Sequence, residues 1–225
     1  MADSQTLHAL MDACSQPGCP LCTVTQAAVE RYISGLFYES ILDPISRRKL
    51  RNSLGLCQKH ARLVLDAGLS DALGLAILYE DLVGKVLELL PVATNSTRIT
   101  KKEAIRFLEP AKPCPACIQE KETSRRFSSA LGEASHQGGF QQAFRKSDSL
   151  CLPHLREAIE YTSNQHSLRA LLDSQSEKIT GLRQQLAEFI RKNDYRFRDE
   201  AFGEERDSYR RAIEMIVGMK HNKPE

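Results

Sequence analysis

Cys19-Pro20-Leu21-Cys22 and, thirty-four residues later, Cys57-Gln58-Lys59-His60 decide how this chain is read. The pattern returns as Cys114-Pro115-Ala116-Cys117, followed after thirty-three residues by Cys151-Leu152-Pro153-His154. Each copy offers three thiols and one imidazole, the donor set of a closed tetrahedral zinc site. Six of the seven cysteines are used this way, which leaves Cys14 to be a buried or free thiol.

The spacing suits a metal for local reasons. Two cysteines separated by two residues turn a tight knuckle and present both sulfurs to one ion. Pro20 and Pro115 occupy the same place in the two knuckles. Proline fixes φ and has no N–H, so it fits a turn that leads into a helix. In the C-x-x-H half, residues three apart share a face within the first turn of a helix. Pro153 agrees with that placement. Two ions are therefore expected, with an iron–sulfur cluster as the competing occupant.

Their grouping is a separate question. Cys19, Cys22, Cys57 and His60 are expected to hold one ion, and Cys114, Cys117, Cys151 and His154 the other. Each copy then closes its own site over a shorter loop, at lower entropic cost than an interleaved arrangement.

Composition narrows the class. The chain has 225 residues with 31 basic and 29 acidic side chains, a balance unlike that of a strongly cationic nucleic-acid binder. Its most apolar stretch, Leu73 to Leu90, is broken by Glu80, Asp81, Lys85 and Glu88, so it reads as a buried helix and not a membrane span. The opening MADSQTLHAL has no cationic segment followed by an apolar run, which predicts a cytoplasmic setting where thiols stay reduced.

Apolar positions recur at helical spacing throughout, and an all-α fold is expected. Helices are predicted over 4–13, 23–37, a short segment capped by Asp43, a segment after His60, and a long one capped by Ser70 that runs to Leu90 and is ended by Pro91. A Thr100/Glu103 capping box opens the same succession again, and His136 to Gly139 breaks it before a further short helix. The last long helix is expected from about His166 to Lys192. The order reads as a duplicated helical unit, 1–93 and 98–192, each stapled by its own Cys3His site. A C-terminal loop and helix, 193–225, have no counterpart.

With those residues in view, the chain resembles an uncharacterised family of bacterial proteins. They are mostly helical and carry a C-P-x-C motif, a later G-[FL]-C-x-x-H motif, and a second pair of both. The likeness rests on Cys19–Cys22, Gly55–His60, Gly74–Leu82 and Asp194–Phe197; Ser149 departs from the glycine at position 55. The resemblance implies a metal-binding protein and supplies no reaction.

Three functions compete. The first is a non-catalytic scaffold whose two structural sites support binding to a macromolecule, protein ahead of nucleic acid. Arg47 and Arg51, in a basic cluster near the first C-x-x-H, and Tyr195, Arg196 and Arg198 near the C-terminus are its candidate surface. The second is a redox protein using clusters or oxidant-sensitive thiolates. The third is an enzyme using Glu80 and Asp81 beside Tyr79; no nucleophile–base pair or open metal triad accompanies them. The stripe Leu168, Leu172, Ile179, Leu182, Leu186 and Phe189, interrupted by Gln175, suits either a homodimeric coiled coil or packing against the first long helix.

Overall fold

The apolar periodicity resolves into helices along the whole chain. The computed structural model describes residues 4–40, 42–94, 99–135, 138–197 and 199–218, with backbone alone at 91–94. Eleven α-helices and no strand occur among these residues. In order they are α1 (Ser4–Cys14), α2 (Pro20–Tyr38), α3 (Pro44–Asn52), α4 (Gln58–Asp66) and α5 (Ala72–Thr94). The same succession follows in α6 (Lys101–Leu108), α7 (Pro115–Ala134), α8 (Gly138–Lys146), α9 (Leu152–Glu160) and α10 (Gln165–Lys192). Two 3₁₀ turns, Tyr195–Phe197 and Glu204–Asp207, lead to α11 (Ser208–Val217).

Several boundaries follow from side chains that satisfy orphan amides. The Asp43 carboxylate accepts from Ser46 N at 2.8 Å with Pro44 in the first turn, and Asn164 accepts from Ser167 N at 2.8 Å. Thr100 and Glu103 form the expected reciprocal capping box. Elsewhere the boundaries differ. Asp71, not Ser70, caps α5, accepting from Gly74 N at 2.7 Å. Pro91 does not end that helix, whose backbone continues to Thr94. One missing N–H removes one hydrogen bond and need not stop the helix. Residues 95–98 lie outside the described residues, as do His136 and Gln137; Gly138 and Gly139 begin α8 instead of breaking the chain.

Two compact units form: Met1–Gln26 with Thr123–Glu225, and Ala27–Glu122. The divisions fall inside α2 and α7, not near residues 93 and 98. In the discontinuous unit, Leu10 and Ala13 of α1, Phe127 and Leu131 of α7, Phe144 of α8 and Leu171 of α10 build one core. In the other unit, Val29, Ile33, Leu36 and Phe37 of α2 meet Leu50, Val64, Leu78 and Leu82. The spacing of the α2 group is one helical stripe, i, i+4, i+7 and i+8.

The C-terminal segment is tied to α10. Phe189 meets Phe202 and Tyr209 with ring centroids 5.5 and 5.4 Å away. Lys192 donates to Glu205 Oε1 at 2.7 Å and to Ala201 O at 2.8 Å. The Lys192 ammonium and the Gly203 amide together hold the Glu205 carboxyl at about 2, below the usual carboxylate range. A depressed folded-state value contributes stability that is present above the unfolded value of about 4.3 and lost as pH falls toward 2. Glu205→Gln is therefore expected to lower the melting temperature at neutral pH, with a deficit that shrinks as pH falls through about 4. A deficit that stays constant over that range contradicts the linkage.

Candidate metal centres

Helix N-termini place every candidate ligand. Cys19 precedes Pro20 at the start of α2, and Cys22 follows within the first turn; Cys114, Pro115 and Cys117 repeat the arrangement at α7. Cys57 and Cys151 are the N-cap residues of α4 and α9, both with extended backbone, and His60 and His154 sit in the first turns. Proline at the start of α9 agrees with its tolerance there.

The eight donors collect into two groups of four, each with all its donor atoms within 4.8 Å of one another. In the discontinuous unit, Cys151 and Cys22 Sγ lie 3.1 and 3.3 Å from His154 Nδ1. Cys19 Sγ lies 3.6 Å from the same nitrogen, and Cys22 and Cys151 Sγ are 3.7 Å apart. In the 27–122 unit, Cys57, Cys117 and Cys114 Sγ lie 3.3, 3.4 and 3.7 Å from His60 Nδ1. Cys57 and Cys117 Sγ are 3.5 Å apart. A tetrahedron with Zn–S near 2.3 Å and Zn–N near 2.0 Å has edges of about 3.5–3.8 Å. Four of the eight separations fall on those edges, and the other four, all from a sulfur to a histidine nitrogen, are shorter at 3.1–3.4 Å. They are far too long for disulfides, and all seven cysteines are free thiols.

The electrostatics of both groups favour a cation. The positive ends of two helices converge on each, α2 with α9 and α7 with α4, which favours thiolates over thiols. Without a cation, neighbouring sulfurs compete for protons. Hydrogen bonds from Cys151 and Cys19 push the Cys22 thiol far up. Burial opposes ionisation of Cys19, yet hydrogen bonds from Cys151, Cys22 and His154 hold it well below the ordinary thiol range. In the second group, burial and the Cys57 contact push Cys117 up to about 12. Burial also works against Cys57, but the His60 amide and the neighbouring thiols leave it lowered. The donor chemistry suits a borderline-soft divalent ion.

All eight expected ligands are thus brought together, but their grouping is interleaved. Cys19 and Cys22 join Cys151 and His154, while Cys114 and Cys117 join Cys57 and His60. The expectation treated each spacer as a flexible loop. It is mostly helix: α2 alone is 19 residues, roughly 28 Å of rigid rod at 1.5 Å per residue. The rod carries the chain away from Cys22 before the C-x-x-H half is reached. The pairing is therefore set by where these rigid helices end and not by loop-closure entropy alone.

Arg47, Arg51 and Arg196 are engaged in ion pairs. Arg51 is bidentate on Asp81, donating from Nε at 2.9 and 3.1 Å, and Arg47 lies 3.8 Å from the same carboxylate. Asp81 is therefore an ion-pair partner, held below the usual carboxylate range by Arg51, and Glu80 is exposed. Arg196 pairs with Asp194 at 2.6 Å, Tyr195 is exposed, and Arg198 lies outside the described residues. Cys14 is buried in the core beside Ser147, and burial pushes its thiol up. In α10, Leu171 and Leu182 point inward while Leu172 is exposed, and within its unit α10 packs against α11 and both 3₁₀ turns.

Sequence reasoning missed the supports around the ligands. Gln175, read as an interruption, is buried and accepts from Leu150 N at 2.8 Å, fixing the residue before Cys151. Asp148 Oδ2 accepts from Gly18 N at 2.6 Å, joining the two ligand-bearing loops. Glu120 Oε2 stands 3.5 Å from His60 Nε2, the nitrogen turned away from the thiols, and pairs with Lys59. At that distance Glu120 makes no hydrogen bond to His60 Nε2, which has no hydrogen-bond partner among the described residues. The Gly55/Ser149 difference also has a cause. Gly55 has φ +93°, a value unsuited to L side chains, and Ser149 does not share it. A Cβ at 55 would also lie 3.1 Å from Leu82 Cδ1. Gly55→Ala is expected to cost about 1–2 kcal/mol in urea unfolding; an unchanged midpoint contradicts this.

Comparison with known proteins agrees with the resemblance to an uncharacterised family. A family described as of unknown function (DUF6062) matches residues 6–223. An uncharacterized 23.9 kDa protein in xynA 3'region, from Caldicellulosiruptor sp. (strain Rt8B.4), is 27% identical over 211 residues, covering 90% of this chain and 96% of that protein. No solved structure matches the chain.

Proposed function

Because the chain belongs to the family of unknown function DUF6062, we propose a role from its own geometry: a helical scaffold stapled by two structural zinc ions that presents its surface to a protein partner. The observation that carries this reading is the collection of eight donor atoms into two closed sets of four. Four protein ligands leave no coordination position for a water nucleophile, which is the mark of a structural site. The short separations within each set favour a single ion. An iron–sulfur cluster places iron and sulfide atoms between its thiolates and holds them further apart. Three thiolates and an imidazole in a tetrahedron suit zinc best among common ions.

A protein partner is favoured over nucleic acid because Arg47 and Arg51 are turned onto Asp81. By contrast, α11 exposes Tyr209, Ile213, Ile216 and Val217 along one apolar stripe. The matching helix order and ligand order support an internal duplication whose halves have exchanged knuckles. Seven free thiols suit a reducing compartment such as the cytoplasm. Among the described residues no helix is long and apolar enough to cross a membrane.

Metal analysis of the untagged full-length protein by mass spectrometry tests the reading. The expected result is two zinc ions per chain and a colourless solution. Protein that carries iron, with visible absorption, would replace this reading with the redox one. Protein that binds no metal under reducing conditions overturns both.

A further inference from the structure

We infer that the two centres have different roles: Cys57, His60, Cys114 and Cys117, with two partly exposed thiols, form an exchangeable site that yields its ion to a competing soft anionic ligand, while Cys19, Cys22, Cys151 and His154, with all three thiols buried and only the imidazole partly exposed, form a better covered and slower one. This inference rests on the metal-binding reading above.

The same depression occurs beside both centres. In the 27–122 unit, Ser53 to Leu56 and Pro110 to Pro113 wall a depression of about 500 Å³ whose floor includes Cys57 and Cys114. A backbone hydrogen bond from Lys112 N to Asn52 O at 3.0 Å ties the walls together, so the opening is fixed by the fold. No residue of α5 or α6 lines it among the described residues. Cys57 and Cys117 keep partial exposure, and Lys112, exposed on the wall, favours an anionic visitor.

In the discontinuous unit, Gly18, Ser147, Asp148 and Ser149 wall the matching depression, with Cys19 at its floor, and its volume is about 200 Å³. Three features close it. The Asp148 carboxylate is engaged by the Gly18 amide, α10 brings Lys178 and Leu182, and α11 adds Arg211, Glu214 and Met215. Arg211 anchors that last helix, donating to Gln185 Oε1 at 2.7 Å, Asp207 Oδ1 at 2.8 Å and Glu204 O at 2.6 Å. The helix then ends at Gly218, with φ +77°, so close to the centre that a Cβ there would lie 3.2 Å from Cys151 Sγ. Cys151 is fully buried as a result, while its counterpart Cys57 is not. Helix α11, at the end of the C-terminal extension, is a cover for this centre.

Exchange at the open centre is a ligand substitution. A metal–sulfur bond to Cys57 or Cys117 breaks as a bond to the incoming thiolate or chelator forms. The freed thiolate takes a proton from solvent, and no electrons change hands. A competitor must reach the ion while the protein ligands still hold it, so access sets the rate.

Zinc-loaded full-length protein mixed with excess chromogenic pyridylazo chelator tests the inference by the kinetics of zinc release. The expected trace has two equal phases whose rates differ by at least about tenfold. Cys117→Ser should abolish the fast phase and Cys22→Ser the slow one. Arg211→Ala, which loosens α11 without touching a ligand, should accelerate the slow phase and leave the fast one unchanged. Gly218→Val, which displaces the helix end from Cys151, should do the same. Release of both ions at one rate, or a fast phase that survives in Cys117→Ser, overturns the inference while leaving metal binding intact. A protein that loads no zinc fails the metal-binding reading instead.

Discussion

Serine at both Cys22 and Cys57 is expected to strip the chain of both metals, whereas serine at both Cys22 and Cys151 is expected to cost only one. Cys22 and Cys151 belong to one group of donors, with their sulfurs 3.7 Å apart, and Cys57 belongs to the other. The first pair of changes damages two centres and the second damages one centre twice. Structural zinc contributes apparent binding free energies of about 10–16 kcal/mol in small domains, so each lost centre should lower stability by several kcal/mol. The Cys22/Cys57 variant should therefore unfold at much lower urea than the Cys22/Cys151 variant. Zinc per chain, measured by mass spectrometry alongside the urea midpoints, separates the cases. The reverse pattern, one ion in the Cys22/Cys57 variant and none in the Cys22/Cys151 variant, would restore grouping within each copy.

The residues of the two Cys3His clusters were legible because the motifs that could hold a metal are local. A C-P-x-C knuckle and a C-x-x-H turn each bring two donors together within four residues, whatever the rest of the chain does. The helices were legible for a similar reason: stripes such as Val29, Ile33, Leu36 and Phe37 and caps such as Asp43 and Thr100 act within two turns. What joined to what was not legible. Sequence separation argued for the shorter closure, but α2 and α7 are rigid across the spacers, and a rigid helix sets where its ends go. Gln175 shows the same limit on a smaller scale. Alone it looks like a flaw in an apolar stripe; its role depends on the Leu150 amide, 25 residues away in sequence.

Interleaving has a consequence for assembly. Each centre draws its knuckle from one copy of the motif and its C-x-x-H from the other, so neither copy can complete a site alone. The first ligand pair of the discontinuous unit, Cys19 and Cys22, must wait for Cys151 and His154, about 130 residues later, which is a costly closure before any metal is bound. The centre in the 27–122 unit closes over a loop about half as long and uses ligands from a contiguous segment. The centre that is harder to assemble is also the one that α11 covers.

Phe144→Ala is expected to cost the discontinuous unit roughly 3–5 kcal/mol, the range for a large aromatic removed from a packed core. The ring is 1% exposed and stacks on Phe140 with centroids 5.9 Å apart. Lys178 Nζ sits 4.0 Å above the ring centroid while donating to Phe144 O at 2.5 Å, Ser147 Oγ at 3.1 Å and Asp148 O at 3.2 Å. Truncation therefore removes apolar contact, a cation–π partner and the roof over a buried ammonium at once. Burial lowers the Lys178 ammonium to about 8, beneath its unfolded value of about 10.4. Between those two values the unfolded chain binds a proton that the folded chain does not, so this group makes stability rise with pH across that window. In Phe144→Ala, water reaches the ammonium, its value returns upward, and that part of the rise should vanish relative to wild type. Urea unfolding at pH values on both sides of about 9 reads both effects, with Ile190→Ala, at an exposed position, as the control expected to stay within about 0.5 kcal/mol of wild type. A loss below about 1 kcal/mol for Phe144→Ala would mean that this ring does not hold the core. An unchanged pH slope would mean that it does not shield Lys178.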